Sequence, residues 1–392
     1  MHTPGVVHSH GVRGLSGVEP SSREPKMFDM SPRRNPPSGP IRTVSALLTA
    51  VPGFFGFIPT RSLILLALAP DARTIQASVR VDLDLRPDGA LDSHMLAEID
   101  HLAAILQGYG SSDVIAVVAD DRFDLESPTY RAVVSVVDRR MWACGGVGRG
   151  YVCSRFGEGE RWIQVWEDGA ELTLRLSRNR GVLGDPRISP TAVSDAVHSG
   201  RLLLGTREEI EAMLQPTSHC DDPCCAPDSA RCPVIEAVLD AHATPQQSMA
   251  AIHEAIAVRR LRFDCASIAE LERAVCDLRV RDAALAFAVT DLRTEAEALW
   301  RELTRRLSGT GRASAATLLA HLHYIGGEGS FAGVALDVAL DADPQWSLAR
   351  LLDRSLRNGL RPDNLWEIIG DSYDAAAALG VVIPSATLRD AS

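Results

Sequence analysis

Between Ala315 and Pro344, small residues recur where two packed helices have to approach closely. Ala320 sits in the first predicted helix, Gly327 in the turn, and Ala332 and Ala339 in the second helix. Leu319 supplies the apolar neighbour to Ala320, and Pro344 closes the unit. A larger side chain at these positions would push the two backbones apart, so the spacing predicts a tight antiparallel helix pair. A pair this short encloses little core and must bury its outer face on a neighbour. Leu285-Ala286 and Ala298 echo Leu319-Ala320 and Ala332 at the same spacing, which predicts a degenerate earlier copy.

The register is that of a tetratricopeptide repeat, whose period is about 34 residues. Such units hold partners in a groove and rarely perform chemistry. The spacing therefore predicts a protein partner, a peptide or helix, bound by the helices after Val280. Everything after Val234 reads as helix, with Thr244-Pro245 and Ser267…Glu270 as start signals. Leu348, Leu351 and Leu352 begin a predicted capping helix, and Leu365 to Ile369 another.

The preceding half reads differently. Leu63 to Ala69 is a fully apolar run, and Ile75 to Leu85 alternates apolar and polar residues, which predicts a strand pair. On this reading Asp82 and Asp84 mark a solvent-facing sheet surface. Met95, Ile99, Leu102, Ala103 and Leu106 form a helical stripe, and Val114 to Ala119 a further buried strand. A helix over Tyr130 to Met141, a glycine joint over Gly145 to Gly150, and a hairpin around Gly157-Glu158-Gly159 follow. Glu171 to Leu176 reads as one more strand, Ser189-Pro190 to Gly200 as a helix, and Thr206 with Glu209 as a capping box. The fold class is thus an α/β domain with a mixed sheet, followed by an all-α, tetratricopeptide-repeat-like region. The predicted boundaries are a disordered, Pro- and Ser-rich tail over 1–41, the α/β domain over 42–216, a cysteine-rich loop over 217–233, and the helical region over 234–392.

Charge and composition restrict the function. The formal net charge of the 392 residues is −11, which argues against general nucleic-acid or anionic-membrane binding. Lys26 is the sole lysine, so no lysine outside the tail is available for a Schiff base or a P-loop. The apolar run from Leu63 is too short to span a bilayer, and no secretory signal is visible, which places the chain in the cytoplasm by expectation. In that reducing compartment the eight cysteines read as free thiols or metal ligands.

Two clusters carry candidate chemistry. His219, Cys220, Cys224, Cys225 and Cys232 place five soft donors within fourteen residues, enough to wrap a tetrahedral zinc ion. Adjacent Cys224 and Cys225 do not readily close on one ion, which leaves His219, Cys220, Cys225 and Cys232 as the working set. The bland alternative is a solvated or oxidisable loop. Asp120, Asp121 and Asp124 follow the strand Val114 to Ala119 at its carboxyl end, where open α/β sheets place ligands, and carboxylates there suit Mg²⁺. The alternative is a charged loop leaving a buried strand. Gly146-Val147-Gly148-Arg149-Gly150 misses the third glycine of a dinucleotide loop, and His253-Glu254 lacks the second histidine of a zinc protease. No G-x-S-x-G is present. The absence of a complete catalytic motif favours partner holding over catalysis.

Ser45-Ala46-Leu47-Leu48 through Val51-Pro52, Gly56-Phe57-Ile58-Pro59 and Ser62-Leu63-Ile64-Leu65 resemble the opening of an actinobacterial family, domain of unknown function 4192. Leu278-Arg279-Val280-Arg281-Asp282-Ala283 and Ala320 to Pro344 resemble its later blocks. The resemblance runs from Arg42 to Pro362. It implies an intracellular actinobacterial protein and transfers no catalytic residue. The family's Cys-Cys-Pro element has its nearest counterpart in Cys224-Cys225-Ala226-Pro227, a departure that leaves any shared metal role open.

Overall fold

The computed structural model describes residues 28–32, 42–69, 74–111, 113–168, 179–221, 243–259 and 262–387. Seven strands form one mixed sheet: β1 (Phe28–Pro32), β2 (Ser62–Leu68), β3 (Ile75–Asp82), β4 (Asp113–Ala119), β5 (Val147–Cys153), β6 (Arg161–Glu167) and β7 (Arg180–Val182). Their order across the sheet is β1-β3-β2-β4-β5-β6-β7. β2 and β3 make the expected hairpin, with Leu65 opposite Val79, and every residue of β2 is buried. Among the described strands only the β4–β5 pair is parallel, and it needs the crossover helix α4 (Pro128–Arg140) between its strands.

Helices cover both faces of this sheet. Before α4 come α1 (Val44–Ala50), α2 (Pro52–Phe55) and α3 (Ser93–Gly108). After β7 come α5 (Pro190–Ser199) and α6 (Arg207–Ala212). α4 approaches the sheet closely at Gly150, where a Cβ would stand 2.8 Å from Val134 Cγ1. The glycine expected in a joint is therefore a strand position that admits a helix. On the opposite face, Trp162 donates from Nε1 to Ser45 Oγ of α1 at 2.9 Å. Arg80 lies on that same face, its guanidinium 5.5 Å from the Phe57 ring centroid.

The expected wet surface holds at Asp84, which is exposed, and partly at Asp82, but does not extend back along the strand. Ser78 and Arg80 are the polar positions of the alternating strand, yet both are buried. Arg80 is accommodated by Ser62 Oγ at 2.9 Å, by the Asp82 carboxylate and by the Phe57 ring. Alternation therefore marks which residues share a face, not which face is wet. Within the expected tail, Phe28 to Pro32 pair with Ala77 to Val81 as an edge strand, and the rest of residues 1–41 lies outside the described residues. An edge strand is held through its backbone on one side, so Pro- and Ser-rich composition does not forbid it. At α6, Thr206 is the N-cap residue but makes no side-chain cap bond, and Glu209 accepts from Gly205 N instead of completing a box.

The second half is helical: α7 (Pro245–Ala257), α8 (Cys265–Cys276), α9 (Leu278–Ala284), α10 (Arg293–Arg306), α11 (Gly309–Ile325), α12 (Gly329–Ala342), α13 (Ser347–Arg357) and α14 (Trp366–Ala378). α11 and α12 are the expected pair. Leu319, Ala320, Ala332 and Ala339 are all buried, and Gly327 takes the left-handed turn at φ 79°. The repeat reading is not carried further. Every residue of α11 from Ala313 to Ile325 is buried, so the helix has no open side to offer as a groove. Leu285 and Ala286 lie in a 3₁₀ turn, and Ala298 is exposed on α10, so the spacing of the earlier copy does not mark a second packed pair.

The helical half grips the sheet half on two sides. A Cβ on Gly56 (φ 79°) would stand 2.6 Å from Phe331 of α12. Gly359 (φ 69°) leaves room for Ile105 of α3, His101 Nε2 meets Arg357 O at 2.7 Å, and Arg361 donates to Tyr109 O at 3.0 Å. Buried apolar residues of both halves join in one core. Two outcomes follow, both read by denaturant unfolding. Ala332→Leu should overpack the α11–α12 pair and cost about 1–3 kcal/mol. Gly56→Ala should cost about the same, through its left-handed backbone and the Phe331 contact. Neutral results would mean that these contacts are loose.

Candidate metal and thiol centre

Cys220 and Cys265 are 45 residues apart, yet their Sγ atoms stand 3.2 Å from each other. Local structure at each end explains the meeting. Asp264 is the N-cap of α8, accepting from Ser267 N at 2.7 Å, which makes Cys265 the first helical residue. The N-cap thus lies three residues before the expected one at Ser267. Opposite it, Asp221 N donates to Phe263 O and Phe263 N donates to Asp221 Oδ2, each at 2.8 Å. These two hydrogen bonds fix the 219–221 segment beside residues 263–265. Arg306 reinforces it, pairing with Asp221 at 3.0 Å and lying 5.2 Å from the Phe263 ring centroid. The hydrogen bond from Phe263 N, helped by Arg306, holds the Asp221 carboxyl below its ordinary pKa.

His219 completes a cluster of three. One donor atom each from His219, Cys220 and Cys265 lies within 4.8 Å of the others, the one such group found among the described residues. Cys220 and Cys265 are 3% and 2% exposed. Of the sequence-predicted ligands, His219 and Cys220 come together here, while Cys225 and Cys232 lie outside the described residues. Cys265 was missed because nothing local to residues 217–233 points to it. A cysteine directly after an N-cap aspartate was the available signal, since a helix N-terminus favours a thiolate.

The acidic candidates have partners within the fold. Asp120 is fully buried and accepts from Arg122 Nε at 2.8 Å and from the Tyr130 hydroxyl at 3.0 Å. Asp121 pairs with Arg61 at 3.0 Å at the surface. Asp124 caps its own turn, accepting from Glu126 N at 2.8 Å. Arginine, hydroxyl and backbone donors occupy the roles that a cation would fill.

A second polar cluster lies where the α5–α6 connection meets the helical half. Arg201 donates to both oxygens of Glu297 at 2.9 Å, pairs with Glu328 and covers the Phe331 ring at 4.9 Å. Arg293 and His323 also reach Glu328, at 3.2 and 2.6 Å. Burial pushes the Glu328 carboxyl upward, but Arg201, Arg293 and His323 outweigh it and hold it ionised. His321 is the reverse case. It is wholly buried, neither ring nitrogen has a hydrogen-bond partner, and burial beside Arg293 pushes its pKa down to about 3.

A family model described as Domain of unknown function (DUF4192) matches residues 45–363. No curated protein and no solved structure matches the chain. Among the described residues no helix is long and apolar enough to cross a membrane.

The His321 shift has a definite sign. The unfolded chain takes up the proton near pH 6.5 and the folded chain only near pH 3, so stability is full above pH 6.5 and falls as pH drops through that window. The slope approaches about 1.4 kcal/mol per pH unit at most. Unfolding free energies across this range should fall more steeply for the natural chain than for His321→Leu. Parallel profiles would show that the imidazole is solvated or paired.

Proposed function

The chain belongs to the DUF4192 family, and we propose that it is a metal-binding module with a zinc centre built on His219, Cys220 and Cys265. Cys225 and Cys232 are the candidates for the fourth ligand. The observation that carries this reading is the convergence of three soft donors from two distant segments. Thiolate and imidazole are ligands for zinc, whereas Mg²⁺ and Ca²⁺ require oxygen donors. Burial of both sulfurs favours a structural centre over a catalytic one, which would keep a position open to substrate. Bound zinc would tie the residues leading into the cysteine-rich segment to the first turn of α8. Metal binding would then add directly to the stability of the junction between the two halves. Cytoplasmic placement belongs to the same proposal, because thiols persist there.

An interaction role is supported by a separate observation. Ile188, Val193, Val197 and Leu202 are all exposed on α5 and its flanks, with Val193 and Val197 one helical turn apart. Exposed apolar side chains gathered in this way favour an apolar helix or peptide as partner. This moves the proposed surface from the helices after Val280 to α5.

Metal analysis of protein purified without chelator tests the first reading. About one zinc per chain is expected for the natural protein and for Cys276→Ser, with loss in Cys220→Ser and Cys265→Ser. Zinc near zero even after refolding with the metal, or full zinc in Cys265→Ser, would sink it. For the second reading, crosslinking in cell extract should give partner adducts on α5 that vanish in the Val193→Asp/Val197→Asp protein. Adducts that persist in that protein would rule out the α5 surface.

A further inference from the structure

We infer that a small peroxide converts this centre into a Cys220–Cys265 disulfide and expels its metal. Release of metal rests on the zinc reading above, whereas formation of the bond does not. Two sulfurs bound to one tetrahedral zinc ion at about 2.3 Å stand about 3.8 Å apart. A disulfide brings them to about 2.05 Å. The observed 3.2 Å lies between these limits. Either state is reached by a small movement of side chains whose backbones are already held by the Asp221–Phe263 bonds.

The chemistry balances with peroxide as oxidant. One cysteine thiolate attacks a peroxide oxygen, the O–O bond breaks, and with one proton the products are a sulfenic acid and water. The second thiolate attacks that sulfur, the S–S bond forms, and the departing hydroxide takes a second proton as water. Two thiolates, one peroxide and two protons thus give one disulfide and two waters. Both sulfurs are oxidised, both peroxide oxygens are reduced, and zinc keeps its charge but loses two ligands.

Position selects this pair. Cys265 is the first residue of α8, and its Sγ stands 3.2 Å from that of Cys220. Burial alone does not separate this pair from the other described cysteines; contact with a second sulfur does. Cys144 is buried with its Sγ 3.3 Å from Ala103 O. Cys153 is buried in β5, its thiol pushed up to about 12, and burial pushes Cys276 up to about 11. The near-complete burial of Cys220 and Cys265 restricts the oxidant to one of peroxide size. The 3.2 Å separation places a second sulfur beside any sulfenic acid before a further oxidation can occur.

The experiment uses the full zinc-loaded chain, freed of reductant and titrated with hydrogen peroxide. Zinc release is followed with a chromogenic chelator, and cysteine pairing by mass spectrometry of non-reduced, alkylated peptides. The expected result is a Cys220–Cys265 linked peptide appearing in step with zinc, both reversed by dithiothreitol and added zinc. Cys276→Ser should behave identically. Linked peptides that omit this pair, or sulfinic acid on Cys220 or Cys265 in place of a bond, would overturn the inference. A chain that never holds zinc but forms the bond would overturn the metal reading and the release, and leave the bond. A chain that keeps its zinc through peroxide and forms no such bond would overturn the inference alone.

Discussion

The burial of α11 on every side from Ala313 to Ile325 is the constraint on which the rest of the molecule depends. Such a helix must be surrounded before it is stable. The polar groups it carries inward are answered inside the protein, except for the His321 imidazole. Ser314 donates to Val275 O of α8 at 2.6 Å, and His323 meets Glu328 at the start of α12. Arg312 reaches back to Leu214 O at 3.0 Å. Placing α11 therefore places α8, α12 and the chain leaving α6. The candidate centre takes both of its arms from this arrangement. Cys265 opens α8, and Cys220 is held through Asp221 by Arg306 at the end of α10, which packs on α11.

The same constraint explains why a helix pair with repeat-like spacing is not a repeat array. Small residues at Ala320, Ala332 and Ala339 serve close packing in either context. In a stacked array one face of each helix would stay open. Here the α/β half and the surrounding helices close over both, through Phe331 against Gly56 and through the Glu328 cluster. Burying that much charge is costly unless each ion is paired. Arg201 and Arg293 against Glu297 and Glu328 meet that condition, and His321 meets the equivalent one by remaining neutral.

Much of the architecture was legible from local chemistry. The β2–β3 hairpin, the Ser189 cap with Gly200 as stop, and the Thr244-Pro245 start with Gln247 completing its box all depend on residues within a few positions. What escaped depends on distant partners. Arg80 reads as a wet-face residue until Phe57 and Asp82 cover it. β1 exists only through its ladder to β3. Cys265 becomes a candidate ligand only when a chain segment 45 residues earlier is laid against it. Two of the three donors described, His219 and Cys220, were visible as local cysteine density; the one that joins them to the helical half was not.

The centre itself is tested most directly by crystallography of the reduced protein with diffraction collected on both sides of the zinc absorption edge. One anomalous peak is expected, bounded by His219, Cys220 Sγ and Cys265 Sγ, with metal–sulfur distances of about 2.3 Å. Free thiols in contact with no peak between them, or zinc bound elsewhere on the chain, would contradict it.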